Sequence, residues 1–254
     1  MSNFGHYIYC IISTEQDRNF GPIGINNEEV LTIGYDNLAM VLSLHPIGKV
    51  VVNSDNMLTH EKVIEKVMEE FPSVLPVRFG TIAASADEVR NLLDKRRREF
   101  CTALKEADHM VELNIKGSWK NLNSIFKEIE QENLDIKKVK NKINKTGTEA
   151  DEKTRIEIGK KVKEALQKKK EEEAEKIIDH FRRIIYDYKL NRTSDDSMFI
   201  NAAFLVGKGH EKDFDNTIND LSNDLENKVK FSYIGPLPLF NFVNITIYPE
   251  EWEK

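Results

Sequence analysis

The chain has 254 residues, a net charge of −6 and a charged fraction of 31%. That length favours two domains over one, and the acidic balance gives no general pull toward nucleic acid or anionic membranes. Cys10 and Cys101 are too few for a disulfide framework and lack a CxxC spacing, so both read as buried apolar residues in a reducing compartment.

His6 to Ser13 (HYIYCIIS) is a short run rich in aromatic and β-branched residues and predicts a central strand. Gly21, Pro22, Gly24 and two asparagines then mark a loop. Glu29–Ile33 and Leu38–Leu44 predict two strands joined by a hairpin at Gly34–Asn37. Met57 to Phe71 repeats Ile64, Val67, Met68 and Phe71 at helical spacing, with Ser54 or Asp55 as N-cap and Pro72 as the stop. His60–Glu61 near its start reads as a capping or surface pair, with a catalytic role as the alternative.

Val74-Leu75-Pro76-Val77-Arg78-Phe79-Gly80-Thr81 follows. It suits a short buried strand ending in a tight turn. Pro76 gives no N–H to a ladder and belongs at an edge, a strand start or a bulge. Arg78 is a permanent cation in an apolar segment. It is expected to be tied to a carboxylate or to carbonyls, with recognition of a partner as the alternative. Ser85-Ala86-Asp87-Glu88 matches a capping box and opens one helix to about Asp108, with Val89, Leu92, Leu93, Phe100, Ala103, Leu104 and Ala107 inward. Its outer face carries Lys95–Arg98, a solvated basic face or a docking patch for an acidic partner.

His109 to Lys116 alternates, with Val111, Leu113 and Ile115 inward and Glu112, Asn114 and Lys116 outward. A domain boundary is expected here. A helix follows from about Lys120 to Ile143, broken at Thr146-Gly147-Thr148, and a second covers about Asp151 to Leu190. Gln167–Glu173 (QKKKEEE) offers no apolar residue to a core, which predicts a solvated middle and a projecting helical hairpin over about 120–190. Disorder of the 135–155 region is the rival reading. Ser197–Val206 predicts a central strand. Phe214, Ile218, Leu221 and Leu225 line a short helix, and Val229, Phe231 and Tyr233 alternate as a strand. Gly235-Pro236-Leu237-Pro238 predicts a rigid bend, Phe242–Tyr248 a last strand, and Trp252 a lid on one end of the core. The whole is an α+β protein of two ferredoxin-like variants, residues 1–108 and 109–254, each a small, mostly antiparallel sheet with helices on one side.

No chemistry announces itself. The six histidines form no HExxH or metal spacing, Gly207-Lys208-Gly209 is not a phosphate loop, and no nucleophile motif is present. The lysines near 137–145 and 160–170 are diluted by glutamates, against nucleic-acid binding. There is no signal-peptide pattern and no run near the ~20 apolar residues of a membrane helix, so a cytoplasmic location without membrane is expected. No enzyme and no cofactor is expected.

Three sets of segments together resemble the gas vesicle protein F/L family (GvpF/GvpL). The first is Tyr7–Ile12 with Gly24-Ile25 and Leu38–Ser43. The second is His60-Glu61 with Val74–Thr81. The third is Asn201–Val206 with Gly235-Pro236-Leu237-Pro238-Leu239-Phe240-Asn241-Phe242-Val243. Leu239-Phe240 departs from the family, which more often has a Pro-Tyr-like pair. The resemblance implies a two-domain accessory protein of gas vesicle formation. Its implied partners are the small hydrophobic shell protein (GvpA-type) and other gas vesicle proteins, and its implied place is the vesicle and the cytoplasm. The expected partner surface is Arg78 and Phe79 with Gly235, Pro236, Leu237 and Pro238, and the charged helical tip is a second candidate. A ferredoxin-like regulatory module for a small molecule is the alternative.

Overall fold

The computed structural model describes residues 4–134, 136–137 and 152–247. Trp252, the Thr146–Thr148 break and most of the 135–155 region therefore lie outside the described residues. The chain divides into two compact units. Among the described residues one takes in 4–112, 205–208 and 235–247, and the other the remainder. Both carry antiparallel sheets with helices.

The first unit is built on β1 (Phe4–Ser13), β2 (Asn19–Gly21), β3 (Val30–Tyr35), β4 (Leu38–Pro46), β5 (Val74–Pro76) and β6 (Ile82–Ala83). The sheet order is β2-β3-β4-β1-β5, with β6 also on β1. The β3–β4 hairpin turns at Asp36-Asn37, where Asp36 takes φ 54°. Along β4, Leu38, Met40 and Leu42 enter one apolar cluster and Ala39 and Val41 another. A β-bulge between Ile8 and Cys10 puts Tyr9 and Cys10 on the same side of β1.

Both faces are therefore apolar, and both are covered. Helix α1 (Ser54–Glu70) lends Val63, Ile64 and Val67 to one cluster. Helices α2 (Ala86–Lys95) and α3 (Arg97–Glu106) lend Val89, Leu92, Leu93, Phe100 and Leu104 to the other. The expectation of helices on one side fails for this unit. The reason is legible in LAMVL: an unbroken apolar run has no face left for water.

Three local expectations are also corrected. The α1 cap is Asn53, whose side chain accepts the Asn56 N–H at 2.7 Å. The single helix over 85–108 is two, broken at Arg96 (φ −103°, ψ 16°). There the Arg96 guanidinium donates to Glu99 and, at 2.9 Å, to the Thr246 carbonyl, and lies over the Phe100 ring. Arg97 pairs with Asp36, so much of the basic run is internally engaged. Ser85 caps α2 as expected, accepting the Glu88 N–H at 3.1 Å, while the Glu88 carboxylate accepts from the Ala84 N–H.

The other sheet contains β7 (Met110–Trp119), β8 (Ile185–Leu190), β9 (Met198–Gly207) and β10 (Val229–Leu237), in the order β10-β7-β9-β8. Helices α4 (Leu122–Glu132), α5 (Glu152–Phe181) and α6 (Glu211–Asp224) complete the second unit. Phe181, Phe204 and Phe214 form its centre, with ring centroids 4.3 to 5.3 Å apart.

The long helix ends at Phe181, not Leu190. Ile185–Leu190 is a strand instead, consistent with its β-branched and aromatic content. The QKKKEEE stretch is not solvated all round. Leu166, Lys170, Ala174 and Ile178 form one buried stripe at four-residue spacing, and the Lys170 ammonium donates to the Asp195 carbonyl at 2.8 Å. Lys169 meets Glu132 at 2.9 Å and Glu128 at 3.3 Å on α4. A lysine stem can bury its methylenes while its head finds acceptors, which an apolar-only reading overlooks.

At the end of the chain β10 continues through Leu237 instead of bending at Gly235. It is an edge strand, where a proline is tolerated. Phe242–Tyr248 is not a strand over its described part. A single parallel bridge joins Ile245 to Val77, and Ile245 and Ile247 enter the cluster beneath α2 and α3. Glu112 points not to water but to Asn241, accepting its N–H at 2.8 Å and its side-chain amide at 2.6 Å.

Candidate functional site

In the first unit the segments singled out in the sequence meet at His60. This residue lies in the middle of α1 and is buried, 3% exposed, so the expectation of a cap or surface histidine is wrong. One turn later Ile64 and Val67 face the same sheet, and the 3.6-residue period carries His60 inward with them. Its Nε2–H donates to the Val77 carbonyl at 3.1 Å. A carbonyl can only accept, so Nδ1 is the bare nitrogen, and it accepts from the Tyr7 hydroxyl at 2.8 Å. The Tyr7 oxygen in turn accepts the Gly80 N–H at 3.3 Å. Burial holds His60 neutral by lowering its pKa from 6.5 to about 4. Burial likewise pushes the Tyr7 hydroxyl up, so it keeps its proton to donate.

A second tyrosine completes the centre. The Tyr9 hydroxyl contacts Ser43 Oγ and accepts the Ile25 N–H, both at 2.9 Å, and its ring stacks on His60. The backbone passes so close here that a Cβ on Gly24 would lie 2.8 Å from that hydroxyl. Gly24-Ile25 is therefore set by contact with Tyr9 and not by loop preference alone.

This polar centre fixes the Val77–Thr81 backbone at several points. Val77 N–H donates to the Tyr9 carbonyl and Ile8 N–H to the Thr81 carbonyl, both at 2.9 Å, and Thr81 Oγ1 donates to the Arg78 carbonyl at 2.7 Å. Gly80 takes φ +87°, a conformation that favours glycine. Phe79 packs edge-on against Tyr7 and His60, and Phe240 also stacks on His60, with ring centroids 6.4 Å apart. The Val77–Thr81 loop and the Leu239–Val243 turn thus share one histidine. The turn is further held by Val243 N–H to the Leu239 carbonyl at 2.8 Å and by Glu112 on Asn241.

Arg78 itself is exposed, and its guanidinium has no partner among the described residues. The expectation of a buried, tied arginine does not hold: the turn carries the side chain out of the apolar run that flanks it in sequence. Of the other expected surface residues, Gly235 and Pro236 are exposed, Phe79 and Leu237 half-buried, and Pro238 buried. Sequence reasoning missed Tyr7, Tyr9, His60 and Phe240 as a group. Polar atoms on alternate positions of an apolar strand, Tyr7 and Tyr9, were the available signal.

What the arrangement offers chemically is an exposed cation on a pinned loop that also carries Phe79, while Phe79 and the 41%-exposed Phe240 both pack on His60. Among the described residues no cluster of three or more His, Cys, Asp or Glu side chains is placed to hold a metal ion. No helix among them is long and apolar enough to cross a membrane.

Comparison with known proteins bears on the same segments. A family model described as gas vesicle synthesis protein GvpL/GvpF matches residues 5–244. Gas vesicle protein F1 of Halobacterium salinarum is 24% identical over 96% of this chain and 95% of its own. Gas vesicle protein F of Microcystis aeruginosa is 22% identical over 95% of this chain and 98% of its own. The crystal structure of GvpF from Anabaena superposes with a TM-score of 0.82 at 20% identity, covering 96% of this chain and 99% of that one, which shows a shared fold. With the match running through all the segments gathered at His60, the chain belongs to the gas vesicle synthesis protein GvpL/GvpF family.

Proposed function

We propose that this protein is a cytoplasmic accessory factor of gas vesicle formation, one that holds the small hydrophobic shell protein before or during its addition to the vesicle wall. Family membership supports the pathway. The observation that carries the binding role is Arg78, an exposed cation without a partner among the described residues, on a loop that hydrogen bonds fix from both sides. A rigid loop loses little conformational entropy on binding, and arginine beside aromatic rings is a common make-up for a binding hot spot. A shell subunit with a large apolar patch needs such a cover to avoid aggregation. Phe79, Phe240 and the Gly235–Pro238 segment leading into the second turn supply apolar surface for it. The role needs no catalysis and no cofactor.

Two finer points of architecture belong to this reading. The succession β7-α4-α5-β8-β9-α6-β10 with the order β10-β7-β9-β8 supports a ferredoxin-like second domain beginning near residue 109. Within the QKKKEEE stretch Lys169 and Lys170 are engaged in their own unit, and the exposed Gln167, Lys168, Glu171 and Glu172 remain the second candidate surface.

The test is capture of the shell protein by the full chain carrying Arg78→Glu, with Leu237→Asp as a second probe and circular dichroism as the check on folding. At least tenfold weaker capture by folded Arg78→Glu is expected. Undiminished capture by both folded variants would rule out this surface.

A further inference from the structure

The β10-β7-β9-β8 sheet ends on β8, Ile185–Leu190 (IYDYKL), whose outer edge has no strand neighbour among the described residues. Tyr186 and Leu190 on it are 66% and 55% exposed. The backbone phase of this edge can be read from two bonds. Asn191 N–H donates to the Asn201 carbonyl, which turns the odd positions toward β9. By the two-residue period, the N–H and C=O groups of Tyr186, Tyr188 and Leu190 face outward. Tyr188 agrees: its N–H donates to its own neighbour, Asp187 Oδ1, at 2.8 Å. Side chains alternate as well, so Tyr186, Tyr188 and Leu190 share one face of the sheet and Asp187 and Lys189 the other.

We propose that β8 is a self-association edge, to which a second copy of this chain adds antiparallel about a two-fold axis at Tyr188. The sequence around that residue is chemically palindromic. With Tyr188 opposite the partner's Tyr188, Tyr186 meets the partner's Leu190 and Asp187 meets the partner's Lys189, each twice by symmetry. The backbone agrees with this register, because the three opposed even positions are those whose polar groups point outward, and each opposed pair exchanges two N–H···O bonds. A one-residue slip opposes outward groups to inward ones. A two-residue slip sets Asp187 against Asp187 or Lys189 against Lys189, and like charges directly opposite are unfavourable. Of these registers only the one centred on Tyr188 satisfies both backbone and charge. Asp187 releases the Tyr188 N–H to the partner's carbonyl and takes the partner's Lys189 in exchange. A six-residue edge is a small interface, so a weak, reversible dimer is expected.

Sedimentation equilibrium of the full chain tests this. A concentration-dependent monomer–dimer equilibrium is expected. Asp187→Lys and Lys189→Asp should each weaken it at least tenfold, and a one-to-one mixture of the two variants should dimerise again, because each then faces its opposite. Both positions are exposed, and circular dichroism confirms folding. Hydrogen exchange on the unmodified chain gives a second readout: the Tyr186, Tyr188 and Leu190 amides should gain protection as concentration rises. A monomer at every concentration, a dimer that neither variant weakens, or variants that fail to rescue each other would overturn the proposal. Likewise, a dimer that leaves those amides unprotected would place the contact elsewhere.

Discussion

The two units solve the same packing problem with different chemistry. The centre of the second is a dry aromatic cluster, Phe181, Phe204 and Phe214, all fully buried. The centre of the first is polar: His60 and two tyrosines, buried just as deeply, with hydrogen bonds running to the backbone of two connecting segments. Apolar burial is non-directional and holds elements together without specifying a loop. A hydrogen bond is directional, and an unmade one in a buried site costs about 1–3 kcal/mol, so the polar centre dictates where Val77–Thr81 must run. The unit that presents Arg78 is the unit with the polar centre. In this protein a buried polar network shapes an exposed feature.

Breaking the dry core should cost most. Phe181→Ala is expected to destabilise by about 3–5 kcal/mol in urea unfolding, since it removes a buried ring and leaves a cavity. The polar centre should respond next, and it alone should respond to acid. His60 has a lowered pKa in the folded state, about 4 against 6.5. The unfolded chain therefore binds the extra proton first. The stability that His60 contributes is fully present above pH 6.5, is lost as pH falls, and stops changing below about 4, for a total of about 3 kcal/mol. His60→Gln, which keeps a donor for the Val77 carbonyl but does not titrate, should flatten the pH dependence across that window. An unchanged slope in the variant would mean that other groups carry it. Phe181→Ala should leave the slope as it was.

A smaller effect sharpens the link from network to loop. Tyr7→Phe removes the donor to His60 Nδ1 and the acceptor for Gly80 N–H, at an expected cost of about 1–2 kcal/mol. Faster amide exchange confined to residues 78–81 is the informative readout, since a general loss of stability would spread over the sheet. Arg78→Ala should change stability by no more than about 0.5 kcal/mol, because its side chain is exposed and has no partner among the described residues. If the proposed surface is right, its effect should fall on shell-protein capture alone. A large loss of stability in that variant would return Arg78 to a structural role.

Much of the first unit could be read directly. Alternating and continuous apolar runs gave β1, β3 and β4, the helical period gave α1, and Ser85 with Glu88 gave the start of α2. Where reading failed, the side chain was polar and its partner distant in sequence. His60 is 53 residues from Tyr7 and 17 from Val77, Glu112 is 129 from Asn241, and Lys170 is 25 from Asp195. Each counts as a surface residue on local evidence, because the acceptor or donor that makes its burial tolerable is supplied by another segment. The β8 strand failed for a related reason: Ile184, Ile185 and Tyr188 continue the helical spacing of α5, and only pairing with β9 decides against it.

The amino-acid sequence alone determined the alternation of strands and helices, the absence of any recognisable catalytic motif, and the family resemblance carried by its Tyr7–Ile12, Val74–Thr81 and Gly235–Val243 segments. Those properties rest on local pattern: side-chain period, turn chemistry and the order of residues along the chain. Only the tertiary structure decided that helices cover both faces of the first sheet, that His60 is the point where those segments meet, and that Arg78 stands in solvent. Burial of a polar group is a pairwise property. Its free energy depends on a partner that folding brings within about 3 Å and that no window along the chain contains.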